Sequence, residues 1–194
     1  MSALMPYLRG EKRGKVCGIT FDDGYLNNLE HAMPVLQRHG FSSTCYVVSG
    51  QLGGSNVWDH GKGILPKSLM QAHHLRAWVD GGQEVGAHTR SHADLTALDT
   101  AQALDEIQGC KHDLEDASAS LVSQFCYPYG FYNAALVGLV RQAGYAAATT
   151  TARARATTQS SAWELPRVPV MGSVWLPQFW RKVATAYEDR RRGQ

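Results

Sequence analysis

At 194 residues with 44% hydrophobic content, the chain is sized for one globular domain over residues 1–194, burying about 70% of the surface its unfolded form exposes. Nineteen Lys and Arg against seventeen Asp and Glu leave no strong field to recruit nucleic acid. Residues 1–14 hold no apolar run of signal-peptide length and nothing reaches membrane-span length, so the chain as it stands reads as cytoplasmic; one trimmed of an export signal would read the same.

Apolar runs of strand length alternate with helix-like segments from end to end, the rhythm of βα units. Lys15 to Phe21 predicts a first strand, ending at Asp22-Asp23-Gly24, and Leu26 to His39 an amphipathic helix closed by Gly40. Phe41 to Val48 is the next strand. Residues 51–66, with Asn56, Trp58, Asp59 and His60, form a long Gly-rich loop of the kind that carries function. Lys67 to Val79 reads as a helix. The strand Gln83 to Ala87 runs into His88-Thr89-Arg90-Ser91-His92, and a long helix follows over Asp99 to Ala117. Leu121 to Tyr127 is a strand leading to Pro128-Tyr129-Gly130, Asn133 to Ala143 a helix, and Tyr145 to Thr150 a strand. After a polar loop come a last strand, Trp163 to Val170, and a last helix, Trp175 to Tyr187. That order predicts an α/β fold, a parallel barrel of about six strands closed by helices.

Trp163, Trp175 and Trp180 read as core. Trp175, Phe179, Trp180, Val183 and Tyr187 also form a helical stripe which, with Arg190 to Arg192, offers a weak membrane-surface or partner contact as the alternative to a solvated tail. The four cysteines are widely spaced and three lie in or beside apolar runs, which suits reduced, buried thiols better than disulfides or a zinc finger.

In a parallel barrel, chemistry gathers where strands end, because the departing loops converge on one face. Asp22-Asp23-Gly24, His88 to His92 and Pro128-Tyr129-Gly130 all occupy such positions. Adjacent carboxylates repel and lose hydration unless a cation or hydrogen bonds compensate. They suit either a turn or a division of labour between a metal ligand and a free base. Two histidines four apart fall on one face of a helical turn and can reach one ion. Thr89 stands where a zincin peptidase needs its Glu. With a carboxylate, the two imidazoles make a set with open positions suited to one divalent ion: zinc, or iron, cobalt, nickel or manganese.

Thr20-Phe21-Asp22-Asp23-Gly24, then His88-Thr89-Arg90-Ser91-His92 preceded by Glu84-Val85-Gly86-Ala87, then Tyr127-Pro128-Tyr129-Gly130, resemble the three motifs of the polysaccharide deacetylases (the NodB homology domain, family 4 carbohydrate esterases). Glu164-Leu165-Pro166-Arg167 and Asn56 to Asp59 resemble the branch acting on biofilm and capsular exopolysaccharides. The resemblance implies a distorted barrel of six to seven strands and removal of N-acetyl groups from amino sugars or N-acetylated polysaccharide. It implies Asp23, His88 and His92 as ligands of the metal, most often zinc, with Asp22 as base. The Tyr129 backbone N–H would complete the oxyanion hole. Gln124-Phe125-Cys126-Tyr127 lacks the Arg that many members carry before the Pro-Tyr motif, and Arg167 is assigned to pair with Asp22 instead. No histidine follows His112, so the late histidine that protonates the leaving amine in many members is missing; His60 is one candidate substitute, and Trp58 a candidate sugar platform. Two other readings are a metal-dependent amidase on a non-sugar C–N bond and a non-catalytic sugar-binding domain.

Overall fold

The computed structural model describes residues 1–191; Arg192, the end of the basic run noted above, lies outside them. Six strands, β1 (Ile19–Phe21), β2 (Ser43–Val47), β3 (Glu84–Ala87), β4 (Gln124–Cys126), β5 (Ala147–Arg153) and β6 (Leu165–Arg167), pair in parallel in chain order. The result is a curled half-barrel of six strands, with no seventh among the described residues. β1 and β6 are its two edges, which is why Pro166, lacking an N–H, is tolerated in the middle of β6.

Strand residues alternate between two faces. Cys45, Val47, Val85, Ala87, Phe125 and Ala148 join the main apolar core with the helices. Thr44, Tyr46, Cys126 and Thr149 are equally buried and take the other face, inside the curl. That concave lining combines small polar side chains with the bulky Tyr46 ring. Gly86 is required there, since a Cβ on it would stand 2.5 Å from Cδ1 of the fully buried Tyr46 ring. Gly86→Ala should therefore cost about 1–3 kcal/mol of unfolding free energy, measured by chemical denaturation.

The short α1 (Met5–Leu8) packs beneath the sheet through Met5, against Ala147 and Leu165. The first long helix forms as a π-helical turn, Asn28–Ala32, running straight into α2 (Met33–Arg38), with Pro34, which has no N–H to give, just past the junction. α3 (Ala72–Asp80) buries Leu75 and Trp78. It starts five residues later than its apolar pattern predicts, because Lys67 to Gln71 is drawn into extended pairing. Lys67 N–H donates to Asn56 Oδ1 at 2.6 Å, Met70 N–H to Gly24 O at 2.9 Å, and Tyr25 and Ser55 bridge Leu69 and Ser68. The long helix over Asp99 to Ala117 forms as α4 (Thr100–Leu104), a π-helical segment Asp105–Gly109, and α5 (Cys110–Ser118). Asp99 and Gln102 close a capping box at its start. Its buried stripe, Ala103, Ile107, Cys110 and Leu114, keeps helical spacing through the π segment.

α6 (Ala134–Gln142) is capped by Asn133 and buries Leu136 and Val140. α7 (Leu176–Ala184) buries nothing: Trp175 and Trp180 are 62% and 65% exposed, not core, because the helix lies beyond an edge strand with no layer over it. Trp163 packs against the core and donates from Nε1 to Tyr145 O at 3.0 Å. All four cysteines are free thiols, with Cys45, Cys110 and Cys126 buried and Cys17 exposed. No helix among the described residues is long and apolar enough to cross a membrane.

Candidate metal and hydrolytic centre

The loops leaving β1, β3 and β4 converge as the strand-end argument expects, and they do so through strained backbone. Among the described residues, five non-glycine residues have left-handed φ, and four of them are Asp23 (74°), Thr89 (65°), His92 (61°) and Tyr129 (60°). Such conformations cost about 1 kcal/mol or more each and persist only where surrounding contacts enforce them.

His88 and His92 do not share a helical turn. The segment after β3 is an irregular loop in which the two left-handed residues fold His92 back toward His88, held by His92 N–H donating to Thr89 Oγ1 at 2.9 Å. The four-residue spacing allowed a helix, but the turns at Thr89 and His92 deny it. The imidazoles still meet, edge to face at 4.8 Å between ring centres.

Asp23 Oδ1 lies 3.5 Å from His88 Nε2 and 3.4 Å from His92 Nε2. Those separations exceed the 2.7–3.2 Å usual for N–H···O bonds. They match the roughly 3.4 Å that separates tetrahedral ligands each about 2.1 Å from one ion. His88 Nδ1 stands 2.7 Å from the Cys126 carbonyl, which can only accept; the ring therefore carries its proton there and turns the Nε2 lone pair toward Asp23. His92 is sandwiched, with Trp58 stacked on it at 4.6 Å and Tyr129 edge-on at 4.6 Å, and its buried Nδ1 has no hydrogen-bond partner among the described residues. Burial pushes the Asp23 carboxyl up, but the two imidazoles more than offset it and leave it well below the usual carboxylate range. Burial lowers His92 and favours the neutral ring that ligation needs, whereas His88, though buried, is raised by Cys126 and Asp23 and gives up a proton on ligation. The donor set thus fits a divalent ion. Asp22, His88 and Cys126 also lie close enough to be counted as ligands, but Asp22 is committed elsewhere.

That commitment is to Arg167. Its Nη1 and Nη2 donate to Asp22 Oδ1 and Oδ2 at 2.7 and 2.8 Å, a two-pronged pair that spans the open seam between β1 and β6. Arg167 is itself aimed by Nε–H donating to Thr150 O at 2.9 Å and by Nη contacts to Thr20 Oγ1 at 3.2 Å and Cys126 Sγ at 3.4 Å. Burial would raise the Asp22 carboxyl, yet the guanidinium outweighs it and holds the group below its ordinary value. The neighbouring acids therefore face different partners, one two imidazoles and the other a guanidinium.

Asp22, Asp23, His88, His92, Tyr129 and Arg167 all gather here. His60 is exposed, while Trp58 is occupied by stacking on His92. Lys62 reaches over the Tyr129 ring, 5.2 Å from its centre, and Phe131 beside it is 52% exposed, giving the rim an aromatic and cationic character. Three further residues take part: Thr20 and Cys126 contact Arg167, and Glu106, whose carboxylate accepts the Arg90 and Ser91 backbone N–H groups, has no sequence signal because its partners are main-chain groups of a separate loop.

The family model described as polysaccharide deacetylase matches residues 9–148. YxkH of Bacillus subtilis (strain 168), named for a polysaccharide deacetylase, is 27% identical over 152 residues, covering 78% of this chain; the chain spans about half (50%) of that relative's length. Among solved structures, the Streptococcus pyogenes deacetylase PplD, captured with acetate, superposes with a TM-score of 0.79 at 19% identity, over 93% of this chain and 76% of its own. IcaB from Ammonifex degensii gives 0.74 at 26% identity, over 92% and 78%.

Proposed function

Since this chain belongs to the polysaccharide deacetylase family, we propose that it hydrolyses the N-acetyl groups of amino sugars, in a polysaccharide or a smaller glycan precursor. Asp22 is the general base, and Asp23, His88 and His92 hold one divalent ion, zinc first and cobalt, nickel, iron or manganese as alternatives. The observation that carries this reading is the opposite pairing of two adjacent acids, Asp23 with His88 and His92 at ligand spacing and Asp22 with Arg167. When bound, such an ion lowers the pKa of water and polarises a carbonyl.

The chain's own residues supply the rest. Arg167 keeps Asp22 ionised and fixed at both oxygens, so the base is charged and aimed before substrate arrives. Asp22 accepts a proton from the attacking water, a bond forms from water oxygen to the acetyl carbon, and the C–N bond breaks to give acetate and the free amine. The Tyr129 backbone N–H donates to the oxyanion. Asp22 can pass the proton it has taken to the leaving nitrogen. Tyr129 and Phe131 on the rim offer apolar faces for sugar rings.

Acetate release from N-acetylglucosamine oligomers, followed with and without a chelator, tests this. The expected result is turnover that the chelator abolishes and added metal restores. Acetate from a small neutral amide but never from a sugar would transfer the reading to a non-sugar amidase. Oligomer binding with no acetate, metal present, would leave a sugar-binding domain.

A further inference from the structure

The loop carrying both histidines is braced from outside by the π-helical segment between α4 and α5. Glu106 Oε2 accepts the backbone N–H groups of Arg90 and Ser91 at 2.8 and 2.9 Å, and its Oε1 accepts the Ser91 hydroxyl at 2.6 Å. These two peptides lie between the left-handed residues Thr89 and His92. One carboxylate therefore fixes the middle of the turn that brings the imidazoles together. Arg90 ties the same loop to this helix a second time. Its guanidinium forks onto Asp113 (2.8 and 2.9 Å) and reaches Asp105 Oδ1 at 2.8 Å, while its carbonyl accepts Gly50 N–H at 2.8 Å. Gly109 clears the space, since a Cβ there would stand 2.4 Å from Arg90 Cζ. The π segment, Asp105–Gly109, carries both Glu106 and Gly109 at the point where the loop docks. π turns concentrate where a helix is bent to a functional need.

We infer that Glu106 is a positioning residue for the metal centre: it touches neither imidazole, yet holds the backbone turn that aims both of them at Asp23. The inference rests on the metal-binding reading above. Loss of an outer hydrogen bond that orients ligands commonly costs 10- to 100-fold in metal affinity, and Glu106, one shell further out, belongs at the lower end.

The experiment measures zinc and cobalt(II) affinity by calorimetry and chelator competition, with the cobalt absorption spectrum as a report on ligand geometry and thermal unfolding of the metal-free protein as a report on the fold. The proteins are wild type, Glu106→Gln, Glu106→Asp, Glu106→Ala and Asp23→Ala. Gln keeps an acceptor oxygen at the same reach and should retain wild-type affinity. Asp keeps the charge but falls one methylene short and, like Ala, should bind about tenfold more weakly with an altered cobalt spectrum. Should Glu106→Ala misfold, Glu106→Asp against Glu106→Gln decides the matter. Wild-type affinity and spectrum in a folded Glu106→Asp or Glu106→Ala would overturn the inference and leave the metal site standing. Equal weakening in Gln and Ala would also overturn it, pointing to charge rather than reach. Wild type binding no metal, or Asp23→Ala binding as well as wild type, would instead overturn the metal reading, and the inference with it.

Discussion

Asp22→Asn should lower kcat/KM for N-acetylated oligomers by about 10²–10⁴-fold, the usual worth of a general base, while metal content stays near one ion per chain. The asparagine side chain keeps the shape of the carboxylate but has no proton affinity to offer water, and Asp23, His88 and His92 remain at ligand spacing. Asp23→Ala and His88→Ala should lose metal and turnover together, because each deletes one of the three proposed ligands. Metal analysis alongside acetate release separates the two classes. Equal metal loss in all three variants would erase the distinction between the two acids and with it the assignment of Asp22 as base.

Arg167→Ala should act on both stability and rate. Removing the guanidinium leaves Asp22 without its two-pronged hydrogen bond, and removes the contact to Thr20 across the β1–β6 seam and the bond to Thr150 O in β5. A fully buried pair would lose more, but the Asp22 side chain is 34% exposed, so about 2 kcal/mol is expected. The pH dependence has a definite sign. Arg167 lowers the folded-state pKa of Asp22 below its unfolded value, so the stabilisation is complete above the ordinary carboxylate range, near pH 4, and is lost as pH falls through the depressed folded value. Denaturation curves of wild type and Arg167→Ala should thus be widely separated near neutrality and draw together under acid. A gap that persists unchanged at low pH would mean that packing of the arginine, not its charge, secures the seam. Turnover should fall with it, since Asp22, the proposed base, loses its orientation.

Much of this architecture was legible in the sequence because it rests on local rules. Six apolar runs in βα rhythm became six parallel strands in chain order, and the three motif-bearing strand ends met on one face because a parallel barrel leaves them nowhere else to go. What escaped notice was decided by tertiary contact. Lys67 to Gln71 has helix-compatible spacing but is captured as extended chain by Gly24, Gly54 and Asn56. His88 and His92 have helical spacing too, yet Thr89 and His92 take left-handed backbone in a loop tied down by contacts from Glu106, Arg90 and Thr89. Trp175 and Trp180 read as core from side-chain size alone, whereas burial depends on a neighbouring layer that the β6 edge does not provide. Arg167 was placed by resemblance; no spacing rule links residues 22 and 167, and only the curl of the sheet makes them neighbours.

The left-handed residues have a wider implication. Asp23, Thr89, His92 and Tyr129 each adopt a backbone shape that glycine would enter more cheaply, so the loops of the reactive end are under tension that the strands and helices beneath them must resist. A glycine at Thr89 would relax that tension and also free the hinge between the histidines. Selection for robustness and selection for turnover therefore pull these four positions in opposite directions.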